Sequence, residues 1–145
     1  MGYEVETVTV DGRVTALGSA GAHTVLIDRP VELGGGGLGF NGGQLLNLAV
    51  AACISNDLFR EAHRLGLSLR RVRVSAHSEY GGSPAVSGPI DYDVEVDGDA
   101  PAERLDELVR LVDSIGEIPN TVRRGTEVRL QLRTVNGSPH RERAN

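Results

Sequence analysis

Gln44-Leu45-Leu46-Asn47-Leu48-Ala49-Val50-Ala51-Ala52-Cys53-Ile54-Ser55-Asn56-Asp57-Leu58-Phe59-Arg60-Glu61-Ala62-His63-Arg64-Leu65-Gly66 is the longest segment of the chain without a breaker. It predicts one long helix over residues 44–65, with Gly66 placed to close its C-terminus. From Leu45 to Ile54 the sequence is apolar nearly all round, whereas polar residues separate Leu58, Phe59, Ala62 and Leu65 in the second half. The first half is therefore expected to be buried on every side.

The segments on either side of this helix alternate. Upstream, residues 3–10 show a period of two that ends at Asp11-Gly12, a two-residue hairpin signal, with a return strand expected over 13–17 and a third strand over 22–28. Pro30 and Gly34-Gly35-Gly36-Gly37-Leu38-Gly39 then read as a flexible connection. A phosphate-binding loop fits poorly, since neither GxGxxG after a strand nor GxxxxGK[ST] is present. Downstream, residues 69–80 and 90–96 predict a second hairpin turned by Gly81-Gly82-Ser83-Pro84. Asp91, Asp93, Glu95, Asp97 and Asp99 are spaced two apart there, and a solvated strand face opposite the arginines explains them better than a cation site does. A second helix is expected to start at Asp99 or Ala100, with Pro101 in its first turn, and to end before Gly116, with Leu105, Leu108, Val109, Leu111, Val112 and Ile115 on one stripe. The last strand is expected over 126–135. One domain over residues 1–135 and a polar, disordered tail over 136–145 complete the division.

Composition narrows the chemistry. A chain of 145 residues fits one domain, and without tryptophan its core must be aliphatic. The net charge of −5 offers no basic field, so no nucleic-acid partner is expected. All fifteen basic residues are arginines, which removes lysine Schiff-base chemistry. No run approaches the roughly 18 apolar residues that span a bilayer, and the first residues lack the basic and apolar regions of an export signal. With its lone thiol, the protein is expected in the cytoplasm, with no membrane partner. His23, His63, His77 and His140 form no ligand spacing, so no metal and no cofactor are expected.

Cys53 is the one sulfur nucleophile. Taken alone it reads as a small buried hydrophobe, because a reactive thiolate needs a positive neighbour. A dyad with His23 or His77 could form in three dimensions, which the sequence does not show, and histidines on strands or surfaces are mostly structural or solvated.

Three segments carry a resemblance. The glycine-rich approach from Asp28-Arg29-Pro30-Val31-Glu32-Leu33-Gly34-Gly35, followed by Asn41-Gly42-Gly43-Gln44-Leu45-Leu46-Asn47-Leu48-Ala49-Val50-Ala51-Ala52-Cys53, resembles the signature of the OsmC/Ohr hydroperoxide-reductase family. Gly66-Leu67-Ser68-Leu69-Arg70-Arg71-Val72-Arg73-Val74 is similar to its helix-to-strand step, and Pro119-Asn120-Thr121-Val122-Arg123-Arg124-Gly125-Thr126 to its second motif. The resemblance implies an α+β fold, an intertwined homodimer in which antiparallel sheets wrap two long central helices. It also implies a peroxiredoxin-like role in oxidative stress: a thiolate reduces a small apolar organic hydroperoxide, and a second cysteine resolves the sulfenic acid. Cys53 takes the attacking position. The resolving position falls on Ile118, so an external thiol would have to act as reductant, and the activating glutamate's place falls on Gly43, with Gln44 adjacent. Val10 stands where the hairpin arginine is expected, which leaves Arg13, or Arg29, to approach the thiolate. Two readings follow. One is a one-cysteine thiol peroxidase using Cys53 and Arg13; the alternative is an inactive or repurposed homodimer whose boundary pocket, enlarged by Gly43 and Ile118, holds a small apolar ligand.

Overall fold

The computed structural model describes residues 2–141. Strands β1 (Glu6–Thr9), β2 (Ala16–Ala20) and β3 (His23–Ile27) form an antiparallel meander ahead of α1 (Gly42–Arg64). Then come β4 (Leu69–His77), the short pair β5 (Tyr80–Gly81) and β6 (Val86–Ser87), β7 (Asp91–Gly98), α2 (Ala102–Ile115) and α3 (Glu117–Arg123). A hairpin of β8 (Leu132–Val135) and β9 (Ser138–Arg141) ends the described chain. Among the described residues, no helix is long and apolar enough to cross a membrane.

Helix α1 begins two residues before the expected start because Asn41 caps it reciprocally. The Asn41 side chain accepts from the Gln44 amide and the Gln44 side chain accepts from the Asn41 amide, each at 2.9 Å. At the other end Gly66 takes φ +67°, and the Leu67 and Gly66 amides donate to the Ala62 and His63 carbonyls at 2.9 and 3.2 Å. That is a Schellman closure, as the position of Gly66 predicts.

Ile54, Leu58 and Ala62 of α1 pack against Leu108 and Val112 of α2, and both helices lie on the inner face of β4 and β7. The register pairs Val72 with Val96 and Val74 with Val94, which turns Arg73, Ser75, Glu95 and Asp93 outward together. Arg73 meets Glu95 at 3.2 Å, and Arg70 pairs with Asp99. Both pairs are exposed and worth at most about 1 kcal/mol each.

Several boundaries differ from the sequence expectation. Thr15 is buried with its hydroxyl on Asp28, so the turn holding Asp11-Gly12 widens to close between Val10 and Thr15, and the return strand runs over Ala16–Ala20 instead of 13–17. Helix α3 was not expected at all. Pro119 falls in its first turn, where a missing amide hydrogen costs nothing. The final strand is confined to Leu132–Val135 because Asn136-Gly137 turns the chain back, and residues 138–141, assigned above to a disordered tail, form β9. Residues 142–145 lie outside the described part.

The glycine-rich run is not a loose tether. Asp28, 2% exposed, sends its carboxylate into the loop and accepts from the amides of Arg29, Gly36 and Leu38 at 2.7, 3.1 and 3.2 Å, and from the Thr15 hydroxyl at 3.0 Å. A Cβ on Gly35 would fall 2.0 Å from the Arg29 carbonyl oxygen, and one on Gly39 2.3 Å from that of Leu26. The amides that a phosphate would require are thus occupied by the chain's own carboxylate. The Gly36 amide, ahead of the other donors, holds the Asp28 carboxyl below the usual carboxylate range against the opposing effect of burial.

Candidate functional site

Helix periodicity sorts α1 into two faces. Val50, Ala51, Ile54, Asp57, Leu58, Glu61 and Ala62 are buried. Leu48 (47% exposed) and Phe59 (48%) lie on the other side with Ala49 and Ala52, also exposed. Burial on every side is therefore not met within one chain: an apolar face is left uncovered. Cys53 sits at the border of these faces, partly exposed.

The sulfur's partner lies one turn further along the same helix. Cys53 Sγ donates to Asp57 Oδ2 at 3.7 Å, and Asp57 is 6% exposed. Its other oxygen, Oδ1, holds Arg60 Nη1 at 2.7 Å, while Arg60 Nε reaches the buried Glu61 at 2.9 Å. Arg64 completes the chain of charges at 3.1 Å from Glu61. The hydrogen bond from Arg60, and next the charges of Arg64 and Arg60, lower the Glu61 carboxyl below its ordinary value. One guanidinium thus bridges two buried carboxylates, which keeps either from being an unpaired charge in the interior.

Arg13 lies in the exposed turn between β1 and β2, where its amide donates to the Val10 carbonyl at 2.9 Å; Arg29 is also exposed, with its amide on Asp28. Among the described residues, neither guanidinium bonds to Cys53, and Arg60 is connected to the sulfur through Asp57. Positions 53, 57 and 60 follow the i, i+4, i+7 rule of one helix face, a signal open to reading once the helix is drawn. The sulfur's partner thus lies on its own helix, whereas Arg13, Arg29, His23 and His77 all lie on other segments. His23, His63 and His77 are exposed, and no group of three metal-binding side chains occurs among the described residues.

Gly43 is covered by an aromatic ring. A Cβ there would lie 3.2 Å from the Tyr80 ring and its hydroxyl, so the missing side chain lets Tyr80 approach. Ile118 stands in the first turn of α3, partly exposed. A cavity of about 440 Å³ opens between α1, β7 and α3, lined by Leu46, Val50, Ile90, Pro119, Val122 and Arg123 among others. At its edge Asp113 accepts from the Tyr92 hydroxyl and pairs with Arg123 at 2.5 Å. Burial, and then the Asp113 carboxylate, push the Tyr92 phenol up to about 12. This triad ties α2 and α3 to β7.

A family model described as OsmC-like protein matches residues 34–131, which contain α1, Cys53 and the second motif. The chain belongs to the OsmC-like family. Among solved structures, this OsmC-like chain is similar to an OsmC like protein from Mycoplasma pneumoniae, with 15% identity, a TM-score of 0.74, and 85% of this chain and 88% of that one covered. It is also similar to an organic hydroperoxide resistance protein from Legionella pneumophila, with 20% identity, a TM-score of 0.60 and coverages of 85% and 90%. A further likeness is to a putative organic hydroperoxide resistance protein from Vibrio cholerae with captopril bound in one of its active sites, at 24% identity, a TM-score of 0.59 and coverages of 85% and 86%. No curated protein sequence matches the chain. At these identities the solved structures establish the shared α+β fold.

Proposed function

We propose that this OsmC-like protein is a one-cysteine, thiol-dependent reductase of small apolar organic hydroperoxides, working as a homodimer. The observation that carries the reading is the position of Cys53: partly exposed, at the rim of an uncovered apolar face, with its S–H already directed to a buried carboxylate. The sulfur attacks the terminal peroxide oxygen, giving a sulfenic acid and the alcohol. With Ile118 at the resolving position and no second cysteine in the sequence, an external thiol condenses with the sulfenic acid, and a further thiol releases Cys53. The hydroperoxide-resistance names of the Legionella and Vibrio relatives support this chemistry. Arg13 remains the candidate second residue if dimerisation brings the β1–β2 turn of one protomer to the other's Cys53.

The test is turnover of cumene hydroperoxide with dithiothreitol as reductant, together with dimedone capture of the sulfenic acid. Wild type should react and Cys53→Ser should lose all activity; turnover that survives in the serine variant would refute the assignment. The cavity favours a second reading, storage of a small apolar ligand without chemistry. A fluorescent apolar probe should then bind stoichiometrically and be weakened by Val50→Trp, and absence of binding alongside peroxide turnover removes that reading.

A further inference from the structure

Resting on the peroxidase reading, we infer that Asp57 is a catalytic residue: it takes the Cys53 proton before the thiolate attacks and delivers it to the departing alkoxide. Among the described residues, Asp57 Oδ2 is the carboxylate oxygen that receives a hydrogen bond from the reacting sulfur, at 3.7 Å. Oδ1 is engaged by Arg60 at 2.7 Å, which fixes the carboxylate's orientation and keeps Oδ2 turned to the sulfur. Arg60 is thus a positioning residue. In the step, an S–O bond forms and the peroxide O–O bond breaks, so that sulfur is oxidised and the peroxide reduced. The proton from Sγ passes to Oδ2 and then to RO⁻, leaving Cys53–S–OH and ROH with no atom or charge unaccounted for. A buried carboxylate suits this relay because it is held in place before the reaction and shielded from bulk water.

The relay separates two reactions of the same thiol. Alkylation by iodoacetamide expels iodide, which needs no proton, whereas peroxide cleavage expels an alkoxide, which does. Both consume the same thiolate, so the ratio of the two rates cancels any change in thiol ionisation caused by a substitution. In Asp57→Asn the ratio of cumene-hydroperoxide to iodoacetamide rate should fall about a hundredfold, within the usual range for acid–base assistance. Asp57→Glu should restore part of it. A merely structural role for Asp57 would move both rates together. An unchanged ratio, with wild type forming sulfenic acid normally, overturns the relay and leaves the peroxidase reading standing. If wild type itself forms no sulfenic acid, both fall. Should the asparagine variant not fold, wild type in deuterium oxide decides: the peroxide reaction must slow more than alkylation does, and equal slowing rejects the relay.

Discussion

Asp28 shows how a single side chain can set the shape of a loop. Its carboxylate collects four donors from Thr15, Arg29, Gly36 and Leu38, and these bonds to the charged form depress its ionisation range on folding. A carboxyl with a lowered folded value contributes stability above its unfolded value, near 4, and loses it as pH falls through the folded value. Asp28→Asn should therefore lower the melting temperature by roughly 5–10 °C at neutral pH, with the difference from wild type shrinking as pH drops below about 4. Thermal melts by circular dichroism across pH 3 to 7 check this, and a difference independent of pH would contradict it. The sequence could not disclose the nest, because a run of glycines permits many paths and says nothing of a carboxylate folding back into it. Family membership, in contrast, was legible, since the segment that ends at Cys53 carries a recognisable motif and lies within the matched residues 34–131.

Elements were more legible than their boundaries. The alternation of 69–80 and 90–96 led correctly to paired strands, because one buried face fixes both period and register. Helix α3 escaped, because Gly116 reads as the end of the preceding helix, while in three dimensions it is a shared cap and Pro119 sits harmlessly in the first turn that follows. The start of α1 was missed by two residues for a related reason: glycines at 42 and 43 discourage a helix, and the Asn41–Gln44 exchange overcomes them. That balance is testable. Asn41→Ala should cost about 1 kcal/mol and expose the first turn of α1 to fast amide exchange, while the helix beyond Leu46 stays protected. Unchanged exchange at Gln44 and Leu45, whose amides donate to the Asn41 side chain and carbonyl, would show that the cap is not what holds the turn.

On the scale of the whole molecule, the single chain leaves too much surface in water. Its accessible area is 11113 Å², whereas a compact monomer of 15.4 kDa should expose roughly 7,200 Å². The excess lies where the core does not reach. The buried cluster and the side chains packed on it come from α1, α2, β4, β7 and the turn after α1, and none belongs to the β1–β3 meander or the β8–β9 hairpin. The all-round apolar pattern of 45–54, which fails as a statement about one chain, becomes consistent if the Leu48 face is closed by a second copy. An interface recovering the excess would fall among the large, apolar, obligate ones, in which the protomer has no stable existence alone. Sedimentation equilibrium at micromolar concentration should accordingly give twice 15.4 kDa. Leu48→Arg, at a half-exposed position outside the buried cluster, should abolish that species and with it cooperative unfolding, whereas Ser75→Arg on the outer face of β4 should leave both intact. A wild-type chain that sediments as a folded monomer would mean that the two arms find their cover within one protomer, in an arrangement other than this one.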